Sequence, residues 1–147
     1  MNIRLLEQKD FNAVLRMMEV FYASDALIIH PDRETLKKTL TDAIAAGPYL
    51  KGYGFWEGET LCGYSMVAMS YSTEVGGLCA WIEDIYVEPD FRGRGYGTDF
   101  LRFVAEVYGP KAVRLRLEAE PGNEKAISVY KSAGFKVLGY TQLIRDL

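Results

Sequence analysis

The sequence predicts an α/β protein in which helices pack on a mixed β-sheet. Apolar residues recur at helical spacing in four segments, while other segments are β-rich or alternate apolar with polar residues. Glycine or proline separates the two kinds of segment. In chain order the elements are β-α-α-β-β-β-α-β-α-β-β. This order predicts a sheet of about six to seven strands flanked by about four helices.

The composition predicts one compact domain that spans residues 1–147. Hydrophobic residues make up 49% of the chain and aromatic residues 13%, which argues against disorder. A net charge of −3 counts against a nucleic-acid partner. No apolar run approaches the ~20 residues that cross a bilayer, and the first residues are charged, so we expect no membrane partner and a cytoplasmic location.

The two cysteines, Cys62 and Cys79, lie in apolar segments and lack the C-x-x-C spacing of metal or redox sites. In a reducing compartment we expect both to be buried thiols. The chain has one histidine and no cluster of histidine with cysteine, so the sequence predicts no metal site.

The first half of the chain reads as a strand, two helices and a hairpin. A short strand at residues 3–6 precedes Asp10, a candidate N-cap for a helix that should end near Tyr22. Asp32, after Pro31, opens a second helix that stops at residues 47–48. Strands at residues 49–56 and 60–71 are joined by a hairpin turn at residues 57–59.

The middle of the chain holds a strand, a glycine-rich basic turn and a helix. The apolar run at residues 81–87 precedes the turn at residues 92–97, and helical spacing resumes from Thr98. Free N–H groups at a helix start, with glycines nearby, favour binding of phosphate oxygens. A P-loop and a Rossmann turn are both excluded, because Gly-Lys-Ser/Thr is absent and the glycines are spaced every two residues.

The last third predicts a strand, a helix and a closing pair of strands. Residues 112–118 alternate apolar with charged side chains, which indicates a strand with one buried face. A turn before Asn123 begins the last helix, and Gly134 ends it as a C-cap. Residues 135–140 and 141–144 are predicted as the final strands.

Two segments resemble the GNAT superfamily of N-acetyltransferases. The turn from Arg92 to Gly97 has the form R-x-x-G-x-G, like the superfamily's pyrophosphate loop. The segment from Asn123 to Phe135 has the form N-x-x-A-x-x-x-Y-x-x-x-G-F, which is similar to its second signature. The resemblance implies the GNAT fold, with a sheet that splays between the fourth and fifth strands and acetyl-CoA in the gap.

The resemblance also implies which residues contact acetyl-CoA. Backbone groups of the fourth strand would pair with the pantetheine arm, and the glycine-rich turn with the start of its helix would hold the pyrophosphate. Asn123 would contact the cofactor or act only as an N-cap. The predicted cofactor residues are Ile85, Tyr86, Val87, Arg92, Gly93, Arg94, Gly95, Tyr96, Gly97, Thr98 and Asn123.

Transfer of an acetyl group to an amine benefits from a base, since an alkyl ammonium has a pKa near ~10.4. Glu83 is the first candidate, acting through a water. Its neighbour Asp84 would face the other side of the sheet by strict alternation, unless a β-bulge turns both carboxylates toward the acceptor. Tyr130 matches the superfamily's proton donor to the leaving thiolate; periodicity alone would make it a core tyrosine.

The resemblance further implies that the acceptor pocket is built by the first two helices, the turn at residues 72–77 and the C-terminal strands. The predicted acceptor residues are Tyr22, Asp25, His30 and Asp84, with Tyr71, Glu74 and Tyr140 nearby; His30 is equally compatible with a surface loop. Acidic and aromatic groups suit a small cation, so we expect a polyamine-like primary amine. The alternatives are a protein or peptide amine, and a sensor that binds acyl-CoA without catalysis. A homodimer is compatible with the sequence.

Overall fold

The computed structural model describes residues 1–24 and 27–147. It contains four α-helices and a five-stranded sheet in the described part of the chain. The strands are β1 (Asn2–Leu5), β2 (Leu50–Glu57), β3 (Thr60–Ser72), β4 (Gly77–Val87) and β5 (Arg114–Leu117). The helices are α1 (Phe11–Tyr22), α2 (Arg33–Ile44), α3 (Tyr96–Tyr108) and α4 (Glu124–Ser132), with single 3₁₀ turns at Gln8–Asp10 and Pro89–Phe91.

The sheet is mixed and its strands lie in chain order. β1 to β4 are antiparallel neighbours, and β5 pairs with β4 in parallel. The β2–β3 hairpin turns where predicted, with Glu57 opposite Thr60 and Gly58 at a φ of 60°. β4 and β5 are parallel because α3, which connects them, carries the chain back to the end of the sheet at which β4 begins.

The two predicted closing strands are absent, so the expected six to seven strands were an overestimate. Residues 135–147 form neither helix nor strand, and Val137 and Leu143 are 76% and 92% exposed. Alternating apolar residues favour a strand only where a neighbouring strand supplies hydrogen bonds and a surface to pack on. In this structure the segment pairs with none.

The helix termini follow local side-chain chemistry. α2 begins where predicted, and the Asp32 carboxylate caps it by accepting from the Thr35 N–H at 2.8 Å. Gly134, at a φ of 92°, ends α4 as predicted. Asp10 differs from the prediction: it precedes α1, yet its side chain accepts from the Glu7 N–H at 2.9 Å and does not cap α1. α3 also begins two residues before the predicted Thr98.

The sheet is covered on both faces. On one face α1 and α2 pack their apolar sides, including Met18 and Leu40, against Tyr64 and Met66 of β3. On the other face α3 packs on the sheet through an apolar group that includes Phe100. The core therefore has two apolar layers, and both meet at β4, which contributes side chains to each.

β5 covers only the first part of β4. The parallel pairing runs from Cys79 opposite Arg114 to Ile82 opposite Leu117 and ends there. β4 continues for a further stretch to Val87, still paired with β3. The sheet is therefore open between β4 and β5 over this stretch, as the resemblance implied.

Candidate active site

A β-bulge interrupts β4 where it leaves β5. Ile82 lies opposite Val67 of β3 and Asp84 lies opposite Met66, so Glu83 is an extra residue without a partner. An extra residue shifts the alternation of side chains by one position. Ile82 accordingly packs in the layer with α3, whereas Asp84 contacts Tyr22 of α1 on the opposite face. Of the two arrangements that the sequence left open here, strict alternation and a β-bulge, the structure has the bulge.

Asp84 is a buried carboxylate held by two tyrosines. It is only 2% exposed. Its Oδ1 accepts from the Tyr22 hydroxyl at 2.7 Å, and its Oδ2 accepts from the Tyr64 hydroxyl at 3.3 Å. Among the described residues, no arginine, lysine or histidine forms an ion pair with it. Burial raises the pKa of Asp84 to about 6, although the two hydrogen bonds oppose that effect.

Glu83 is the more accessible of the two acids. Its residue is exposed at the bulge, and its pKa is raised by partial desolvation, then by the negative charges of Asp84 and Glu118. Glu118 lies just after β5 and was not among the predicted site residues. The acidic groups at the opening of the sheet thus come from both strands, and their mutual repulsion favours a cation between them.

The acceptor residues predicted from α1 and the following loop are only partly brought together. Tyr22 contacts Asp84 through its hydroxyl, and its backbone carbonyl lies 2.5 Å from Nδ1 of His30. His30 itself is exposed. Asp25 lies outside the described residues. Desolvation and the neighbouring carboxylates raise the pKa of Tyr22, so its hydroxyl stays protonated and donates to Asp84.

The glycine-rich turn has the backbone geometry of an anion site. Gly93 and Gly95 adopt φ values of 77° and 88°, in the left-handed region that favours glycine. Gly95 precedes α3, and no side chain caps the first N–H groups of this helix. The first of them to donate within the helix is that of Asp99, to the Gly95 carbonyl at 2.9 Å. Free donors at the positive end of a helix suit phosphate oxygens.

The side chains of the turn have partners within the protein. Arg92 Nε donates to the Val87 carbonyl at 2.8 Å, at the end of β4. Arg94 forms an ion pair with Glu57 at 3.1 Å, and the Tyr96 hydroxyl donates to the same carboxylate at 2.5 Å. This hydrogen bond is the main reason why the pKa of Tyr96 is raised to about 12. The β2–β3 hairpin therefore supports the turn.

Tyr130 and Asn123 lie on α4. Tyr130 is half-buried and packs against the layer that contains Ile85 and Val87 of β4. Within the described residues its hydroxyl has no hydrogen-bond partner, and burial raises its pKa. The Asn123 side chain accepts from the Ala126 N–H at 3.2 Å, so it acts as an N-cap here.

Two concavities lie outside this arrangement. One, of about 670 Å³, opens broadly on the outer face of α4 and contains none of the predicted site residues. A smaller one, of about 270 Å³, is lined by the predicted Tyr71, Glu74 and Tyr140 together with Arg116 of β5. The Tyr140 hydroxyl donates to Glu74 at 2.8 Å. The opening beside β4, and not the larger concavity, is therefore the candidate active site.

Sequence reasoning missed Tyr64, Glu118 and Arg116. Tyr64 sits opposite Tyr86 in β3, one strand away from the motif, and only the register of the hairpin shows that its hydroxyl reaches Asp84. Arg116 lies in β5 and Glu118 lies just after it, and the alternation at residues 112–118 had assigned both side chains to the solvent face. Across the described part of the chain, no helix is long and apolar enough to cross a membrane. The same residues contain no group of three or more metal-binding side chains.

Two curated relatives carry the name thialysine N-epsilon-acetyltransferase. The one from Bos taurus is 39% identical over 79 residues, which cover 53% of this chain and 46% of the relative. The one from Mus musculus is 29% identical over 141 residues, which cover 90% of this chain and 82% of the relative. For the bovine relative and a similar one from Sus scrofa, the match spans only about half of the relative's length.

A solved structure shares the fold. It is a possible acetyltransferase from Clostridium difficile 630, with a TM-score of 0.85 and 18% identity, and the match covers 99% of this chain and 97% of that one. The profile of the Acetyltransferase (GNAT) family matches residues 15–135, which include α2, the whole of β2 to β5 and α4. The chain therefore belongs to the Acetyltransferase (GNAT) family.

Proposed function

We propose that the protein transfers an acetyl group from acetyl-CoA to the primary amine of a small molecule. The observation that carries this proposal is the pairing of a buried carboxylate, Asp84, with an accessible one, Glu83, at the bulge beside the open edge of β4. Both acids lack a cation in the described part of the chain, and an ammonium group would supply one.

The residues around the opening fit acetyl-CoA, which supplies an activated thioester when bound. The turn at residues 92–97 offers uncapped N–H groups for the pyrophosphate. A Cβ at Gly93, Gly95 or Gly97 would meet no protein atom within 4 Å, so these glycines leave room for another molecule to approach the backbone. Ile85, Tyr86 and Val87 would pair with the pantetheine arm, and Arg92 would have to share the Val87 carbonyl with it.

Within this proposal Glu83 and Asp84 have different roles: Glu83 accepts a proton from the amine, and Asp84 positions it. At pH 7 an alkyl ammonium with a pKa of ~10.4 needs roughly 4–5 kcal/mol to present its neutral form. Glu83, exposed and with a raised pKa, would accept that proton through a water. Asp84, fixed by Tyr22 and Tyr64, would hold the ammonium in position before the proton leaves.

Tyr130 would donate a hydrogen bond to the departing thiolate. Its hydroxyl is free of protein partners in the described residues, and burial keeps it protonated. We expect the amine to attack acetyl-CoA directly in a ternary complex, because the cysteines are poorly placed to carry the acetyl group. Cys62 and Cys79 are 0% exposed and burial raises the pKa of both thiols, so neither is suited to act as a covalent carrier.

The test is release of free thiol from acetyl-CoA in the presence of polyamines, lysine-like amino acids, amino sugars, arylalkylamines and short peptides. Release that depends on a small amine supports the proposal. Release only with peptides would replace it by peptide acetylation. Tight binding of acetyl-CoA with no release across the panel would instead support a sensor that binds acyl-CoA.

A further inference from the structure

Arg116 of β5 has no anionic partner among the residues that the structure describes. It lies opposite Trp81 in the β4–β5 register, and its guanidinium carbon is 4.2 Å from the centroid of the Trp81 ring. Among the described residues it forms neither an ion pair nor a hydrogen bond. The ring therefore holds the guanidinium in place by a cation–π contact, while its N–H donors are left for another group.

The smaller concavity gives those donors room for a ligand. Arg116 lines it, and the acid in its wall, Glu74, is already engaged by Arg114 at 2.6 Å and by the Tyr140 hydroxyl at 2.8 Å. Since Arg114 neutralises Glu74, the charge of Arg116 in this wall is left unbalanced. A planar guanidinium in such a place suits a carboxylate, which it binds through two parallel hydrogen bonds.

The sheet face that carries Arg116 is acidic at its other end. Glu83 lies two residues after Trp81, at the bulge in β4, and Glu118 lies two residues after Arg116, just past the end of β5. Two residues of strand advance roughly 7 Å. The six single bonds that join the side-chain nitrogen of lysine to its carboxyl carbon span a similar distance, roughly 7 Å, in extended form. One end of this face is therefore basic and the other acidic, and the distance between the two ends is similar to the length of a lysine molecule.

We infer that the acceptor is an amino acid with a primary amine at the end of its side chain, and that Arg116 binds its carboxylate while the amine lies at Glu83 and Asp84. This inference rests on the proposed function and narrows its substrate class. One ammonium group of a diamine of the same length would bind at Glu83 and Asp84, but its second ammonium group would be repelled by the positive charge of Arg116. Arg116 would thus select amino acids against diamines.

The test compares lysine or thialysine with the diamine that lacks only the carboxylate, in the wild-type protein and in Arg116→Gln. We expect the ratio of kcat/KM for the amino acid over kcat/KM for the diamine to fall about 10–100-fold in the variant, mostly through KM for the amino acid. Arg116→Lys should recover part of the ratio, since it keeps the charge. Arg102→Gln, on the exposed side of α3, is the matched control and should leave the ratio unchanged.

Calorimetric binding of the same two ligands, with coenzyme A present, separates this inference from the proposed function. Loss of amino acid binding in Arg116→Gln, with the variant folded by circular dichroism, supports the carboxylate site even if no acetyl transfer is seen. An equal loss for both ligands, or no loss for either, overturns it. A wild-type preference for the diamine would overturn it as well.

Discussion

Replacing Asp84 with asparagine should make the protein more stable at neutral pH and less active. The pKa of Asp84 in the folded protein is about 6, against an ordinary value of 3.8. Between these two values the folded state holds a proton that the unfolded state has lost, so stability falls as the pH rises. Above about pH 7 both states are ionised and the whole cost is present, roughly 3 kcal/mol at ~1.4 kcal/mol per pKa unit.

Urea unfolding at about pH 4 and pH 8 measures this cost directly. Asparagine carries no charge and still offers an acceptor to one tyrosine, so Asp84→Asn should gain roughly 1–3 kcal/mol over wild type at pH 8 and little at pH 4. The gain corresponds to a rise in Tm of roughly 2–10 °C for a chain of this size. Asp146→Asn, at an exposed position, is the control, and its free energy of unfolding should stay close to that of wild type at both pH values.

The result that would refute this reasoning is a variant less stable than wild type at pH 8, or an equal difference at both pH values. The first result would mean that the hydrogen bonds from Tyr22 and Tyr64 outweigh the burial of the charge, and the second that they balance it, so that folding leaves the pKa of Asp84 unchanged. The activity of Asp84→Asn should fall even as stability rises, because an amide does not attract an ammonium.

Three further predictions concern the proposed catalytic and cofactor residues. Glu83→Gln should lower kcat/KM most below about pH 8, where free amine is scarce, and a pH–rate profile identical to that of wild type would exclude Glu83 as the base. Gly95→Val should weaken acetyl-CoA binding more than ~10-fold in calorimetry while the protein stays folded, because the strain at a φ of 88° is only ~1–2 kcal/mol; unchanged affinity would remove the pyrophosphate site from this turn. Tyr130→Phe should lower kcat about 10–100-fold with little change in KM for acetyl-CoA, and a loss confined to KM would mean that the hydroxyl only aids binding.

Local signals in the sequence predicted most of the helices and the first five strands. Asp32 and Gly134 act through groups within a few residues of themselves, so short-range patterns suffice to place them. The prediction of the two closing strands was wrong because strands depend on long-range contacts. The composition of residues 135–144 is a local property, but a strand exists only with a partner, and residues 135–147 have none in this structure.

The sequence predicted those parts of the candidate site that lie in a sequence motif, and it did not predict the contacts that depend on how distant segments pack together. The sequence places Glu83 and Asp84 next to each other, and the resemblance offered a bulge at this point as one of two alternatives. The contacts of Asp84 depend on the β3–β4 register, which brings Tyr64 across from a distant part of the chain. Arg94 was assigned to the cofactor through the resemblance of its turn, whereas its ion pair with Glu57 depends on the β2–β3 hairpin lying beside that turn.

The opening between β4 and β5 also affects how the protein behaves without its ligand. Backbone groups that lack a neighbouring strand are a template on which a strand of another molecule can pair. Arg92 covers one of these groups, the Val87 carbonyl. Acetyl-CoA at ~100 times its Kd would add ~2.7 kcal/mol to the stability of the folded state and fill the gap. We therefore expect the ligand-free protein to aggregate first on storage or heating, and acetyl-CoA in the buffer to suppress that aggregation.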